Sequence, residues 1–134
     1  SYTSHHFMEI KNIDIANAVI ESLKDADYHT ITATTLMVAD YFHLSKSERN
    51  KIFNSRKISG AGNSFSSKKI YTQTQLMVTE LRQVKFIKNF PKQDGIFTLT
   101  SEGLILLTKS KEERKEKISS EFKKYKNKRK SSKK

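Results

Sequence analysis

Apolar positions divide the first hundred residues into short runs of differing period. Ile13, Ala16, Val19, Ile20 and Leu23 recur three and four residues apart, which predicts an amphipathic helix over about 13–25, stopped by Asp25-Ala26-Asp27. Tyr28-His29-Thr30-Ile31-Thr32 is short, β-branched and aromatic, the composition of a brief strand or extended link. Leu36, Ala39, Tyr41 and Phe42 mark a second helix over about 33–43, and Ser45-Lys46-Ser47-Glu48 fits a capping box opening a short third helix at about 46–53. Ser59-Gly60-Ala61-Gly62-Asn63-Ser64 belongs to a flexible loop, after which Ser66 or Ser67 caps a long helix running to about Lys85. On a helical wheel Ile70, Thr74, Met77, Leu81 and Val84 share one face of that helix, and Lys68, Thr72, Gln75, Thr79 and Arg82 the other. Phe86–Phe90 and Gly95–Thr100 then alternate like two strands around the turn-rich Pro91-Lys92-Gln93-Asp94-Gly95, and a last apolar helix opens at Ser101.

Past Thr108 the pattern changes in kind. From Lys109 to Lys134 the only apolar residues are Ile118, Phe122 and Tyr125, spaced four and three apart. That spacing predicts a thin-striped helix to about 125, followed by a Lys-rich run with nothing to bury and hence disordered. The expected division is a flexible terminus over 1–11, one compact domain over 12–108 and a basic tail over 109–134. Ile118, Phe122 and Tyr125, with no home in that domain, leave room for a homodimer paired through the tail helices.

Composition sharpens this. The 134 residues are 35% hydrophobic and 30% charged, with Lys+Arg 26 against Asp+Glu 14 and a net charge of +12. The charge is blocked: residues 1–45 sum to −4, 46–92 to +9, 93–108 to −2 and 109–134 to +9. Two separate basic blocks call for a polyanionic partner. With Cys 0 there is no disulfide framework, Cys-ligated zinc or thiol nucleophile. The longest aliphatic run, Leu104–Leu107, is far below the roughly 18–20 residues of a membrane span, and Ser1–His6 lacks signal-peptide character. The expectation is a soluble, intracellular chain with no membrane partner: cytoplasmic and nucleoid-associated in a prokaryote, nuclear in a eukaryote, where Lys128-Arg129-Lys130 would serve as an import signal.

Helices followed by a terminal hairpin make an α+β, mostly α fold, laid out as a winged helix-turn-helix with a two-stranded wing and a basic tail. Ile13–Leu107, 95 of the 134 residues, resembles the N-terminal winged-helix domain of Mrr-type restriction proteins. The resemblance rests on Asp27-Tyr28-His29-Thr30, on Val38–Arg49, on Leu76–Leu81, and above all on Gly95-Ile96-Phe97-Thr98-Leu99-Thr100-Ser101-Glu102-Gly103. Where that family often has a small residue, Gly and Leu after its recognition helix, this chain has Val84-Lys85-Phe86, and no nuclease domain follows. The resemblance implies DNA binding and does not imply cleavage.

In such a layout helix 66–85 enters the major groove, with Ser66, Ser67, Lys68, Lys69, Thr72, Gln75 and Thr79 as its contacts. Lys85, Lys88 and Lys92 on and around the wing meet flanking phosphates or the minor groove, and Arg49, Lys51, Arg56 and Lys57 border the loop where they could clamp the backbone. Lys123, Lys124, Lys126, Lys128, Arg129 and Lys130 in the tail add salt-dependent, nonspecific grip. Phe42, Phe53, Phe86, Phe90 and Phe97 are read as core or wing-bracing aromatics. No cofactor, metal or catalytic site is expected. Gly60-x-Gly62 lacks the Gly-Lys-Ser/Thr of a phosphate loop, and His5, His6, His29 and His43 lack ligand spacing. Asp94 with Glu113-Arg114-Lys115 imitates a nuclease pattern, but Glu113 sits in a polar helical run rather than on a buried strand. The expected function is non-catalytic binding of double-stranded DNA, as a transcription regulator or a genome- or element-associated factor. A protein-interaction adaptor, an RNA binder and the recognition part of a restriction system whose nuclease is absent stay open beside it.

Overall fold

A computed structural model describes residues 10–45 and 65–132, with side chains described over 10–45 and 70–130. The predicted helix at 46–53, the Gly-rich loop, Phe53, and Arg49, Lys51, Arg56 and Lys57 lie outside these residues, as do the side chains of Ser66, Ser67, Lys68 and Lys69. The described elements are α1 (Asn12–Ser22), β1 (His29–Thr30), α2 (Ile31–Tyr41), α3 (Phe65–Gln83), β2 (Ile87–Asn89), β3 (Ile96–Leu99), α4 (Ser101–Leu106) and α5 (Lys111–Ser132). The architecture is α+β and mostly helical, with one small antiparallel sheet in the order β1-β3-β2.

α1 is the centre of the molecule. Its residues Ile15 to Ile20 are buried consecutively, so the helix is covered on every side rather than along one stripe. α2, α3 and α5 all pack on it. α2 starts where the Thr30 hydroxyl accepts the Ala33 amide at 3.0 Å, and Thr34 and Thr35 turn their hydroxyls back onto carbonyls one turn earlier, which lets both sit in the core.

α2 and α3 end alike. His43 and Lys85 take left-handed φ of 58° and 73°, and the next residue, Leu44 or Phe86, buries its side chain while its amide bonds to Ala39 or Leu81 at 2.9 Å. This is a Schellman stop with its apolar contact, built without the glycine that normally supplies the left-handed residue. Lys85 thus does the work expected of a glycine in the Val84-Lys85-Phe86 turn.

The hairpin that follows pairs Ile87 with Leu99, Lys88 with Thr98 and Asn89 with Phe97. Its loop folds as a type II turn: Pro91 presets the first corner, Lys92 takes φ 63° at the second, and the Gln93 amide bonds to the Phe90 carbonyl at 3.0 Å. On its other edge β3 pairs with β1, His29 opposite Phe97 and Thr30 opposite Ile96, so the expected two-stranded wing is part of a three-stranded sheet. Phe86 and Phe97 are core residues, Phe42 is half-buried, and Phe90 is exposed with its ring edge-on to Tyr28. The Thr100 hydroxyl accepts the Gly103 amide and donates to the Lys85 carbonyl at 2.6 Å, fastening α4 to the end of α3. Gly103 permits this closeness, because a Cβ there would land on the Phe86 carbonyl oxygen.

Three expected boundaries move. Ser66 and Ser67 lie within the described span of α3, Phe65–Gln83, instead of ahead of it as caps. The core does not stop at Thr108: Ile118 is completely buried, Phe122 packs against the core, and Arg114 is 6% exposed. The tail is helical to Ser132 rather than to about 125. α5 opens with a reciprocal capping box, the Glu113 amide donating to Ser110 Oγ and the Ser110 amide to Glu113 Oε1, both at 3.2 Å. Its stripe residues have an intramolecular home, which removes the reason for pairing the tails of two chains.

Arg114 fixes α5 in place. Its guanidinium donates to the Leu106 carbonyl at 3.0 Å, Asn17 Oδ1 at 2.8 Å, Glu21 Oε2 at 2.8 Å and the Lys109 carbonyl at 3.2 Å. Asn17, fully buried, donates in turn to the Tyr41 hydroxyl at 2.9 Å. Ile118→Ala is expected to cost about 2–4 kcal/mol and Arg114→Leu about 3 kcal/mol, both in urea unfolding of the whole chain. A tail outside the domain would leave the midpoint unchanged in both.

Candidate nucleic-acid interface

The exposed face of α3 is an acid-free strip. Thr72, Gln75 and Leu76 are exposed, Thr79 and Gln83 half-exposed, while Ile70, Thr74, Met77, Val78 and Leu81 are buried opposite. The wheel separation read from sequence therefore holds over the described part of the helix. Leu76 was not singled out by sequence, because a leucine in a helix is assigned to the core by default. At 43% exposed it is the one large apolar side chain on the described part of this strip.

Different elements bound the strip on its two flanks. On one, Arg82 reaches Asn89 Oδ1 of β2 at 3.5 Å, and Asn89 in turn reaches Asp94 at 3.4 Å. Lys85, Lys88 and Lys92 are exposed beyond this flank, in and around the hairpin, with Asp94 near its tip. On the other flank Glu80, Gln83 and Val84 of α3 line a narrow cleft with Phe122, Tyr125, Lys126 and Arg129 of α5. Glu80, the single acid of α3, therefore faces cations. At 100° per residue Arg82 and Glu80 stand about 160° apart around the helix, with the strip between them.

α5 is electrostatically split. Residues 111–121 carry four cations and four acids, whereas 122–132 carry Lys123, Lys124, Lys126, Lys128, Arg129 and Lys130 and no acid. The neutral half docks: Lys115 pairs with Asp14 at 2.7 Å, and Lys111 lies over the Tyr41 ring. The basic half begins with Phe122 on the core and carries Lys123, Lys126, Asn127, Arg129 and Lys130 around one shallow concavity, with Arg129 over the Tyr125 ring. Cations at the C-terminal end and acids in the first turn both suit the helix dipole.

Among the described residues three groups titrate away from their ordinary values. Asp25 is held low by the Asp27 amide and then by His29, which bonds it at 2.9 Å. Lys115 is held high by its bond to Asp14, and Glu121 low by Lys117 at 3.2 Å, with Lys124 adding to it. No group of three or more metal-ligating side chains comes together among the described residues. Glu113 is engaged in its capping box with Ser110. No described helix is long and apolar enough to cross a membrane. No protein family, curated protein or solved structure matches the chain.

Two outcomes follow from this geometry. Lys85→Gly should stabilise the chain by about 1 kcal/mol, because glycine adopts the left-handed turn at no steric cost; thermal unfolding reads it. The depressed Glu121 contributes stability that is present above its unfolded pKa and lost as pH falls through the lower folded value. Helicity measured by circular dichroism should therefore drop in acid below the usual glutamate range, and Glu121→Gln should flatten that drop.

Proposed function

We propose that this chain is a winged-helix protein that binds double-stranded DNA without catalysing a reaction. α3 enters the major groove through Thr72, Gln75 and Thr79, with Lys68 and Lys69 near its start, and the β2–β3 hairpin is the wing. The observation that carries the reading is the placement of the acid-free strip of α3 directly ahead of a hairpin bearing Lys85, Lys88 and Lys92, in a sheet ordered β1-β3-β2. A glutamine in a groove reads adenine edges, threonine hydroxyls bond bases or phosphates, and lysines on the wing neutralise the backbone. The resemblance to the DNA-recognising domain of Mrr-type restriction proteins points the same way. A transcription regulator or element-associated factor is the role this chemistry suits, and the recognition part of a restriction system comes next.

The left-handed φ at Lys85 and Lys92 adds support. Each lysine occupies a position that glycine fills with less strain, which fits a cation kept for contact rather than for folding. A protein-interaction adaptor is the second reading, favoured by exposed Leu104 and Ile105 on α4, the latter 56% exposed.

Binding of a labelled random-sequence duplex across a salt series tests the proposal. Thr72→Glu with Gln75→Glu should weaken binding at least tenfold. Lys85→Gly with Lys92→Gly should weaken it while leaving the protein more stable, lowering the salt slope by about 0.9 per lost phosphate contact. Equal affinity in both variants rejects the groove-and-wing reading in favour of the adaptor, and stronger competition by duplex RNA than by DNA redirects it to RNA.

A further inference from the structure

We infer that the basic half of α5 is a second, rigid phosphate-binding surface, gripping the DNA strand on the side of α3 opposite the wing. The inference rests on the groove-binding reading of α3 and deepens it. A helix about 10–12 Å across nearly fills a major groove about 12 Å wide, so an element standing on each flank of that helix meets one of the two bordering backbones. Arg82 and Asn89 place the hairpin on one flank. Glu80, Gln83 and Val84, sharing their cleft with Phe122, Tyr125, Lys126 and Arg129, place α5 on the other.

Charge and rigidity support the same assignment. Residues 122–132 hold six cations and no acid, and the acid on the adjoining flank of α3, Glu80, shares its cleft with Lys126 and Arg129 rather than lying on the open strip. Lys123, Lys126, Asn127 and Lys130 gather around one concavity. At 1.5 Å per residue Lys123 to Lys130 covers about 10 Å, which equals about three phosphates of one strand counted along the duplex axis at about 3.4 Å of axis each. The helix is anchored upstream by buried Arg114 and Ile118, so these cations are held in register with the domain instead of being carried on a loose arm.

The test separates position from charge, using the whole chain. Ser120 is exposed, and Ser120→Pro breaks α5 beyond Ile118 while keeping every cation. It is expected to weaken duplex binding about tenfold, since a tethered flexible arm engages at lower effective concentration. Lys123→Gln, Lys126→Gln and Lys130→Gln together keep the helix and should lower the salt slope by about 2 to 3. If both variants bind as the parent does, the second surface is overturned while groove binding by α3 stands. If Ser120→Pro alone matches the parent, the tail acts as a flexible arm and the rigid grip is overturned. A parent chain that fails to bind duplex DNA overturns this inference together with the reading it rests on. Should Ser120→Pro fail to fold, the glutamine set decides alone: an unchanged slope sinks the surface.

Discussion

One buried guanidinium holds two ends of the chain together. Arg114 sits at the junction of α1, α4 and α5, and its hydrogen bonds go to two side chains of α1 and to the carbonyls of Leu106 and Lys109. A charge this deep is tolerated only when its donors are matched, and here Asn17, Glu21 and two backbone acceptors do so. The wider arrangement depends on that match. It sets where α5 crosses α1, which sets where Phe122 and Tyr125 meet the end of α3, and so which flank of α3 carries the basic half of the helix.

The described helices and hairpin of the first hundred residues are legible because each carries a clear period. Ile70, Thr74, Met77 and Leu81 fall inside, and Thr72 and Gln75 outside, as helical spacing requires. The hairpin and its Pro91 turn were equally plain. The third strand was half legible: β-branched residues at 29–32 suggested extension, but pairing with β3 is a long-range fact that local pattern does not contain.

The tail conceals its part in the core for a definable reason. Three apolar residues in a long Lys-rich run look insufficient for burial when counted along that run. The informative signal lay elsewhere, in Ile15, Asn17 and Ala18, which fall outside the expected stripe of α1 and are nevertheless buried. A helix apolar on more than one face needs a second cover, and α5 supplies it. Arg114 was hidden for a related reason: buried arginines announce themselves through partners, and Asn17 is 97 residues away. Of the candidate interface, Thr72, Gln75, Thr79 and the hairpin lysines could be read from spacing and charge. Leu76, and the position of α5 against α3, could not.

The enclosure of α1 bears on how the chain comes to be folded. Its cover arrives in two instalments, α2 and α3 from the middle of the sequence and α5 from near its far end. During synthesis, which proceeds from the N-terminus, α1 retains an uncovered apolar side until residue 118 has emerged and Arg114 can find Asn17. A nascent chain at the Thr108 stage would already hold the hairpin and the strip of α3 while lacking the lid on its central helix. Final assembly is therefore non-local and late, and the surface exposed meanwhile is the kind that chaperones hold.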